Sequence, residues 1–114
     1  MNQLQITERL KIYAGRLNEF KYLAAQCFTS AKENNQNILK YEWFFNGDQT
    51  ECVVKERYTD TNTIFARVTN PGHLFGKIFR VSDFSVKVYD DPSKELMEAS
   101  AALKPKVYYF FQGL

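Results

Sequence analysis

From residue 7 to residue 14 polar and apolar side chains alternate, with Leu10, Ile12 and Ala14 on one side and Arg9, Lys11 and Tyr13 on the other. A period of two marks a half-buried strand. After Gly15 the period changes. Leu17, Phe20, Ala24, Cys27, Phe28 and Ala31 recur at steps of three and four, which predicts a helix of about five turns with one apolar stripe. Lys21, Gln26 and Lys32 take its wet side, and Asn34 and Asn35 suit its end. Residues 37–45 and 50–58 read as two strands joined across Asn46-Gly47-Asp48-Gln49. Asn-Gly between β-branched and aromatic runs signals a hairpin because both residues accept positive φ. A second helix is predicted over residues 61–68, with Ile64, Phe65 and Val68 inward, broken by Pro71-Gly72. Leu74, Phe75, Ile78 and Phe79 suggest a further helical turn, and residues 81–89 alternate again. Asp91-Pro92 reads as an N-cap with proline at the first helical position, opening a third helix that runs to Leu103. The tail, residues 106–114, carries Val107-Tyr108-Tyr109-Phe110-Phe111, an aromatic run of strand-like composition.

The predicted order is β-α-β-β-α-β with an added helix and strand. It is an α+β chain whose first six elements match the ferredoxin-like split βαβ arrangement, both helices lying on one face of an antiparallel sheet. The side facing the helices is predicted to carry Leu10, Ile12, Ala14, Leu39, Tyr41, Trp43, Phe45, Cys52, Val54, Tyr58, Phe84, Val86 and Val88. The other side mixes Lys11, Lys40, Glu42, Lys55, Arg57 and Lys87 with Tyr13, Phe44, Val53 and Tyr89. A two-layer sandwich leaves that side open within one chain, and a second copy would cover it. The tail points the same way: an aromatic strand at a sheet edge either closes its own sheet or adds to a partner's, and twofold exchange satisfies both copies. The expectation is a homodimer through the open face and the C-terminal strand.

Composition narrows the class. A chain of 114 residues with 45% hydrophobic and 25% charged side chains is expected to form a single globular domain over residues 1–114. Aromatics are the unusual feature, with ten Phe, seven Tyr and one Trp, 16% in all. Large rings fill a core, and some can line a pocket for a flat ligand. Fifteen basic and 13 acidic residues leave a net charge of +2 with no block of like charge, so no nucleic-acid partner is expected. Two cysteines, Cys27 and Cys52, make no disulfide framework, and one histidine, His73, leaves no zinc cluster. No apolar leader or membrane-length run occurs, and a cytoplasmic location without membrane attachment is expected.

Tyr41-Glu42-Trp43-Phe44-Phe45 before a turn, followed by Val53-Val54-Lys55-Glu56-Arg57-Tyr58, resembles the second and third strands of antibiotic biosynthesis monooxygenase domains. The likeness continues through the second helix and the Asn70-Pro71-Gly72-His73 turn, covering residues 6–89. It implies a dimeric α+β barrel with the sheets facing one another and a pocket between sheet and helices in each subunit. It further implies oxygenases that act on quinols or polyketide phenols without metal or bound flavin, beside relatives that bind and break haem. Many members carry a histidine after an alanine in the second helix. Here Ala66 is followed by Arg67, which counts against haem; no cofactor is expected.

The candidate substrate-binding residues are Trp43, Tyr41 and Tyr58 on the aromatic face, with Arg67 on the second helix. Trp43 can also be a core ring that needs only an acceptor for its indole N–H, and the tyrosines can reach solvent at the sheet edge. The candidate catalytic residues are His73, a base near neutrality, and Asn62, a hydrogen-bond donor to a developing anion. Each has a plainer role as a turn or helix-capping residue. Glu56 and Arg57 alternate faces and suit structural ion pairs. Two functions follow: a cofactor-independent monooxygenase acting on a quinol or phenolic aromatic, or a dimeric protein that binds a small aromatic or lipid-like ligand without turnover.

Overall fold

A five-stranded sheet in the order β2-β3-β1-β4-β5 carries the molecule. In this computed structural model, residues 4–34, 37–59, 72–90 and 92–114 are described. They form β1 (Leu4–Ile12), α1 (Leu17–Asn34), β2 (Ile38–Phe45), β3 (Glu51–Tyr58), α2 (Gly72–Phe79), β4 (Ser82–Tyr89), α3 (Lys94–Ala99), a 3-10 turn (Ala101–Leu103) and β5 (Lys106–Tyr108). The helix expected over residues 61–68 lies outside the described residues. The four long strands pair antiparallel, and β5 adds parallel to β4. The ferredoxin-like α+β arrangement expected from the sequence is therefore present.

α1 follows the stripe, with Phe20, Leu23, Cys27 and Ala31 buried. Leu23 joins the stripe, whereas Phe28 stands at its margin, 45% exposed and stacked on Tyr41. Glu19 in the first turn and Lys32 in the last complement the helix dipole. β1 begins earlier than its alternation suggests: Leu4 and Ile6 are buried beside Leu10, while Ala14 already lies in the turn before α1. Gly15, at φ 79°, closes that turn in the left-handed region.

The β2–β3 hairpin is held differently from the Asn-Gly expectation. Neither Asn46 nor Gly47 has positive φ; Gln49 takes it, at 57°. The Asn46 side chain works as a backbone acceptor instead, its Oδ1 receiving the N–H groups of Thr50 and Glu51 at 3.0 and 2.9 Å. A register shift between Ile38 and Lys40 corrects a second expectation. The extra residue of a bulge moves one side chain to the other face, so Ile38 packs inward and Leu39 is 51% exposed. The cap of α3 is a third correction: Ser93, not Asp91, accepts the N–H of Leu96 at 3.1 Å. The helix ends at Ala99, and Lys104 in a left-handed conformation closes the 3-10 turn that follows.

Two apolar clusters fill the space between sheet and helices. One gathers Leu4, Ile6, Tyr58, Val86, Val88 and Leu96; the other gathers Leu10, Phe20, Leu23, Cys52, Val54, Ile78 and Val81. Fully burying a side chain such as Phe20 or Leu10 stabilises the fold by roughly 1.5–3 kcal/mol.

Candidate functional site

Two carboxylates are buried on the helix-facing side of the sheet. Glu8 and Glu56 are 8% and 6% exposed, set in strands whose neighbouring inward positions are apolar. The register fixes their relation. Glu56 lies opposite Ile6 and Glu8 opposite Val54, so the two occupy diagonal positions on adjacent strands. Such positions are about 7–8 Å apart along the backbone, within reach of long side chains. Tyr58, two residues beyond Glu56 and so on the same face, is 1% exposed, and its hydroxyl donates to Glu56 Oε1. A buried carboxylate that accepts a phenol hydrogen bond can take a proton through it or return one.

Across the hairpin Tyr41 stands opposite Glu56, and Trp43 opposite Val54. Both are half-buried and belong to an aromatic wall built where β2 meets α1. Tyr41 and Trp43 meet edge to face at 6.0 Å, Phe28 stacks on Tyr41 at 5.9 Å, and Phe20 sets its edge against Trp43 at 6.3 Å. Outside this wall runs an open cleft of about 550 Å³, lined chiefly by Ala24, Phe28, Tyr41, Trp43 and Phe45. Lys21 stands over the Phe45 ring at 5.6 Å and donates to Gln49 at 3.1 Å. Trp43 Nε1 is buried and has no hydrogen-bond partner among the described residues. A buried N–H without an acceptor is costly, and a ligand or water oxygen would relieve it.

Cys52 completes the inward row of β3, fully buried beneath the helices. Burial pushes its thiol up to about 11; a hydrogen bond with the Phe44 backbone opposes the shift, and the charge of Glu8 adds to it. The thiol stays protonated at neutral pH, which rules it out as a nucleophile there.

The structure brings three of the sequence-derived candidates onto one face. Tyr41 and Trp43 share the cleft wall, and Tyr58 lies one strand away beside Glu56. Asn62 and Arg67 fall outside the described residues. His73 belongs to α2 by its backbone, and its side chain lies outside them too. The residues that sequence reasoning passed over are Glu8 and Glu56. The signal was available in the period of two: Glu56 falls between Val54 and Tyr58, and Glu8 between Ile6 and Leu10. A carboxylate inside an otherwise apolar inward row is the pattern that finds them.

No protein-family model matches the chain, and no curated protein sequence does. Solved structures do match. MupZ from Pseudomonas fluorescens superposes with a TM-score of 0.82 at 22% identity, over 100% of this chain and 94% of its own. SnoaB, a cofactor-independent oxygenase from Streptomyces nogalater, gives a TM-score of 0.69 at 12% identity, over 82% of this chain and 97% of its own. A candidate antibiotic biosynthesis monooxygenase from Caulobacter crescentus gives 0.71 at 12% identity, over 80% and 91%. At such identities the likeness is one of fold, and it meets the resemblance read from the β2–β3 motif: the chain has the ferredoxin-like α+β fold, an open sheet with helices, of the antibiotic biosynthesis monooxygenase-like proteins.

Proposed function

We propose that the chain is a cofactor-independent monooxygenase acting on a quinol or phenolic aromatic, with Glu56 and Tyr58 as its proton-transfer pair. The observation that carries this reading is the buried hydrogen bond from the Tyr58 hydroxyl to Glu56, with Glu8 diagonal to it and an aromatic wall alongside. The cofactor-independent oxygenase among the matching folds supports the class of chemistry. A phenol gives its proton to the Tyr58 oxygen as Tyr58 passes its own to Glu56, leaving a phenolate. Glu8 offers a second proton site close by. The electron-rich phenolate then reduces dioxygen against the aromatic wall of the cleft. For a naphthol the balance is one dioxygen consumed, one oxygen atom entering the ring carbon para to the hydroxyl, and the other leaving as water. The phenolic O–H and that ring C–H supply the two hydrogens of the water, and the substrate supplies all four electrons. Tyr41 and Trp43 hold the ring, the Trp43 N–H giving it a hydrogen bond. In the same reading Asn62 and His73 assist the proton transfer and Arg67 binds the substrate.

The chain works as a homodimer. Proteins of this fold are typically dimeric, and Phe44 at 49%, Tyr109 at 71%, Phe110 at 73% and Phe111 at 89% exposure leave the open face and tail with apolar surface for a second copy to cover.

Oxygen uptake with a panel of naphthols and quinols tests the chemistry. Wild type should turn over at least one of them, and Glu56→Gln should lose about 10²–10⁴-fold in turnover while still quenching or shifting Trp43 fluorescence on binding. Saturable binding of the whole panel with no oxygen uptake would assign the chain to the non-catalytic binding class.

A further inference from the structure

The aromatic cleft continues past Tyr41. A smaller hollow of about 250 Å³ extends it along the seam between α1 and β2, lined by Phe28, Ala31, Lys32, Ile38 and Tyr41. The two spaces share Phe28 and Tyr41, so this stacked pair, its ring planes 16° from parallel, stands at the boundary between them. The seam follows from two periods. α1 turns Lys21, Ala24, Phe28 and Ala31 towards it at steps of three and four. β2 answers with Phe45, Trp43 and Tyr41 at steps of two, and the bulge brings Ile38 to the same side. From Lys21 to Lys32 the helix rises about 16 Å, more than a single ring spans. The smaller hollow is built from α1 and inward positions of β2, none of them on the open face or the tail.

At that volume the hollow falls below the roughly 300–1,000 Å³ of a small-molecule site. It suits one end of a ligand whose body lies in the larger cleft. Register gives the seam a direction. Ile38 lies opposite Tyr58 and Tyr41 opposite Glu56, whereas Trp43 and Phe45 lie opposite Val54 and Cys52. The smaller hollow is therefore at the Glu56–Tyr58 end, where Ile38 packs against the cluster that holds Tyr58, and the Trp43 wall is at the other. A phenol that gives its proton to Tyr58 has its hydroxyl-bearing ring in the smaller hollow, and the rest of the molecule must pass Phe28 to reach Trp43. The Phe28 ring is 45% exposed, unlike the buried members of its stripe, so it adds less to the core and more to the shape of this passage.

We infer that Phe28 is a specificity-determining residue, which selects phenols carrying a second ring directed away from the hydroxyl, along the seam. The placing of the hydroxyl end rests on the reaction proposed above; the selection for shape does not. Two isomers of equal composition test it by calorimetric titration of the full-length protein. In 3-phenylphenol the second ring points along the seam and the carbon para to the hydroxyl stays free; in 2-phenylphenol the second ring lies beside the hydroxyl. Wild type should bind the 3-isomer more tightly by about tenfold or more, the scale on which an apolar pocket separates shapes. Phe28→Ala merges the two spaces and should bring that ratio close to one. Should Phe28→Ala not fold, Phe28→Leu, which keeps apolar bulk without a flat ring, should lower the ratio in the same direction. Equal binding of the isomers by wild type overturns the inference, as does an unchanged ratio in the variants or no saturable binding of either isomer. Oxygen uptake reads the reaction separately. A preference that depends on Phe28 without oxygen uptake upholds the selection and ends the proposed chemistry, whereas turnover without any preference does the reverse.

Discussion

Alternate residues of the same four strands build two surfaces with opposite ways of satisfying polar groups. On the helix-covered face the buried polar side chains find partners within the chain. Tyr58 donates to Glu56, Ser82 Oγ donates to Ile78 O at 2.8 Å, and Ser100 Oγ donates to Leu96 O at 2.8 Å. On the open face Arg9 and Glu51 meet at 2.6 Å in solvent, where such a pair adds little stability. Deeper on that face, Arg57 Nε is buried with no partner among the described residues. Among the described residues, the buried side-chain donor left unfilled on the covered face is the Trp43 indole. The open face combines apolar surface with an unfilled donor, and both features call for something from outside. The difference is the reason the proposed chemistry is placed on one side and the proposed association on the other.

The largest effect expected on this contrast comes from Tyr58→Phe. It keeps the ring in the first apolar cluster and removes only the hydroxyl that Glu56 accepts. If protons pass through that hydroxyl, turnover of the best naphthol should fall by about 10²–10⁴-fold, with the substrate's effect on Trp43 fluorescence retained. Unchanged turnover would remove Tyr58 from the chemistry and leave it as a core ring whose hydroxyl satisfies a buried carboxylate.

Deleting residues 109–114 tests the other face. Their rings contribute little to the core of their own chain, since Tyr109, Phe110 and Phe111 are each more than two-thirds exposed. If a second copy covers them, light scattering should give about twice 13.3 kDa for the full chain and about half that value for the truncated one. The melting temperature should rise with concentration for the full chain only, by mass action. A full chain that runs as a monomer at micromolar concentration would end the dimer reading. β5 itself belongs to its own sheet through β4, so a truncation that spares Tyr108 leaves that edge paired.

Trp43→Phe should act more gently. It leaves a ring against Phe20 and Tyr41 and costs about 1 kcal/mol, at the low end for core truncation. Because the indole N–H has no partner among the described residues, loss of affinity for a naphthol should exceed that figure if the ligand supplies the acceptor. Equal losses in stability and affinity would make the indole a packing group alone.

Much of the fold was legible because the strands and α1 repeat their periods over many residues. Alternation placed Val54, Tyr58, Val86 and Val88 inward, and the three-and-four stripe placed Phe20 and Cys27 inward. What failed was local. No glycine marks the bulge at Leu39, so a strict period of two carried that residue to the wrong side. Asn-Gly predicted the hairpin correctly, although the Asn46 side chain does the work assigned to positive φ. At α3 two capping residues stand two positions apart, and propensity does not choose between Asp91 and Ser93. The site was harder to see for a different reason. Charge argues for exposure in any propensity reading, so Glu8 and Glu56 were discounted where register alone would have put them inside. The aromatic wall, by contrast, followed from composition and alternation together.

The smallest expected effect concerns Cys52. Its thiol is held up to about 11, first by burial, against an ordinary value of about 8.5–9. A raised acid binds more protons folded than unfolded in the interval between the two values. Stability from this source is therefore fully present below about pH 9 and is lost as pH rises towards 11. Two units correspond to at most about 2.7 kcal/mol. Tyrosines and lysines titrate in the same range, so the measurement is a difference. Urea unfolding from pH 8 to pH 11 should fall more steeply for wild type than for Cys52→Ala. The variant starts lower by the cost of a small cavity and converges on wild type at high pH. Parallel curves would mean that water reaches the thiol and that the covered face is wetter around Glu8 than its burial indicates. That outcome would weaken the case for a water-excluded proton-transfer pair further along the same strand.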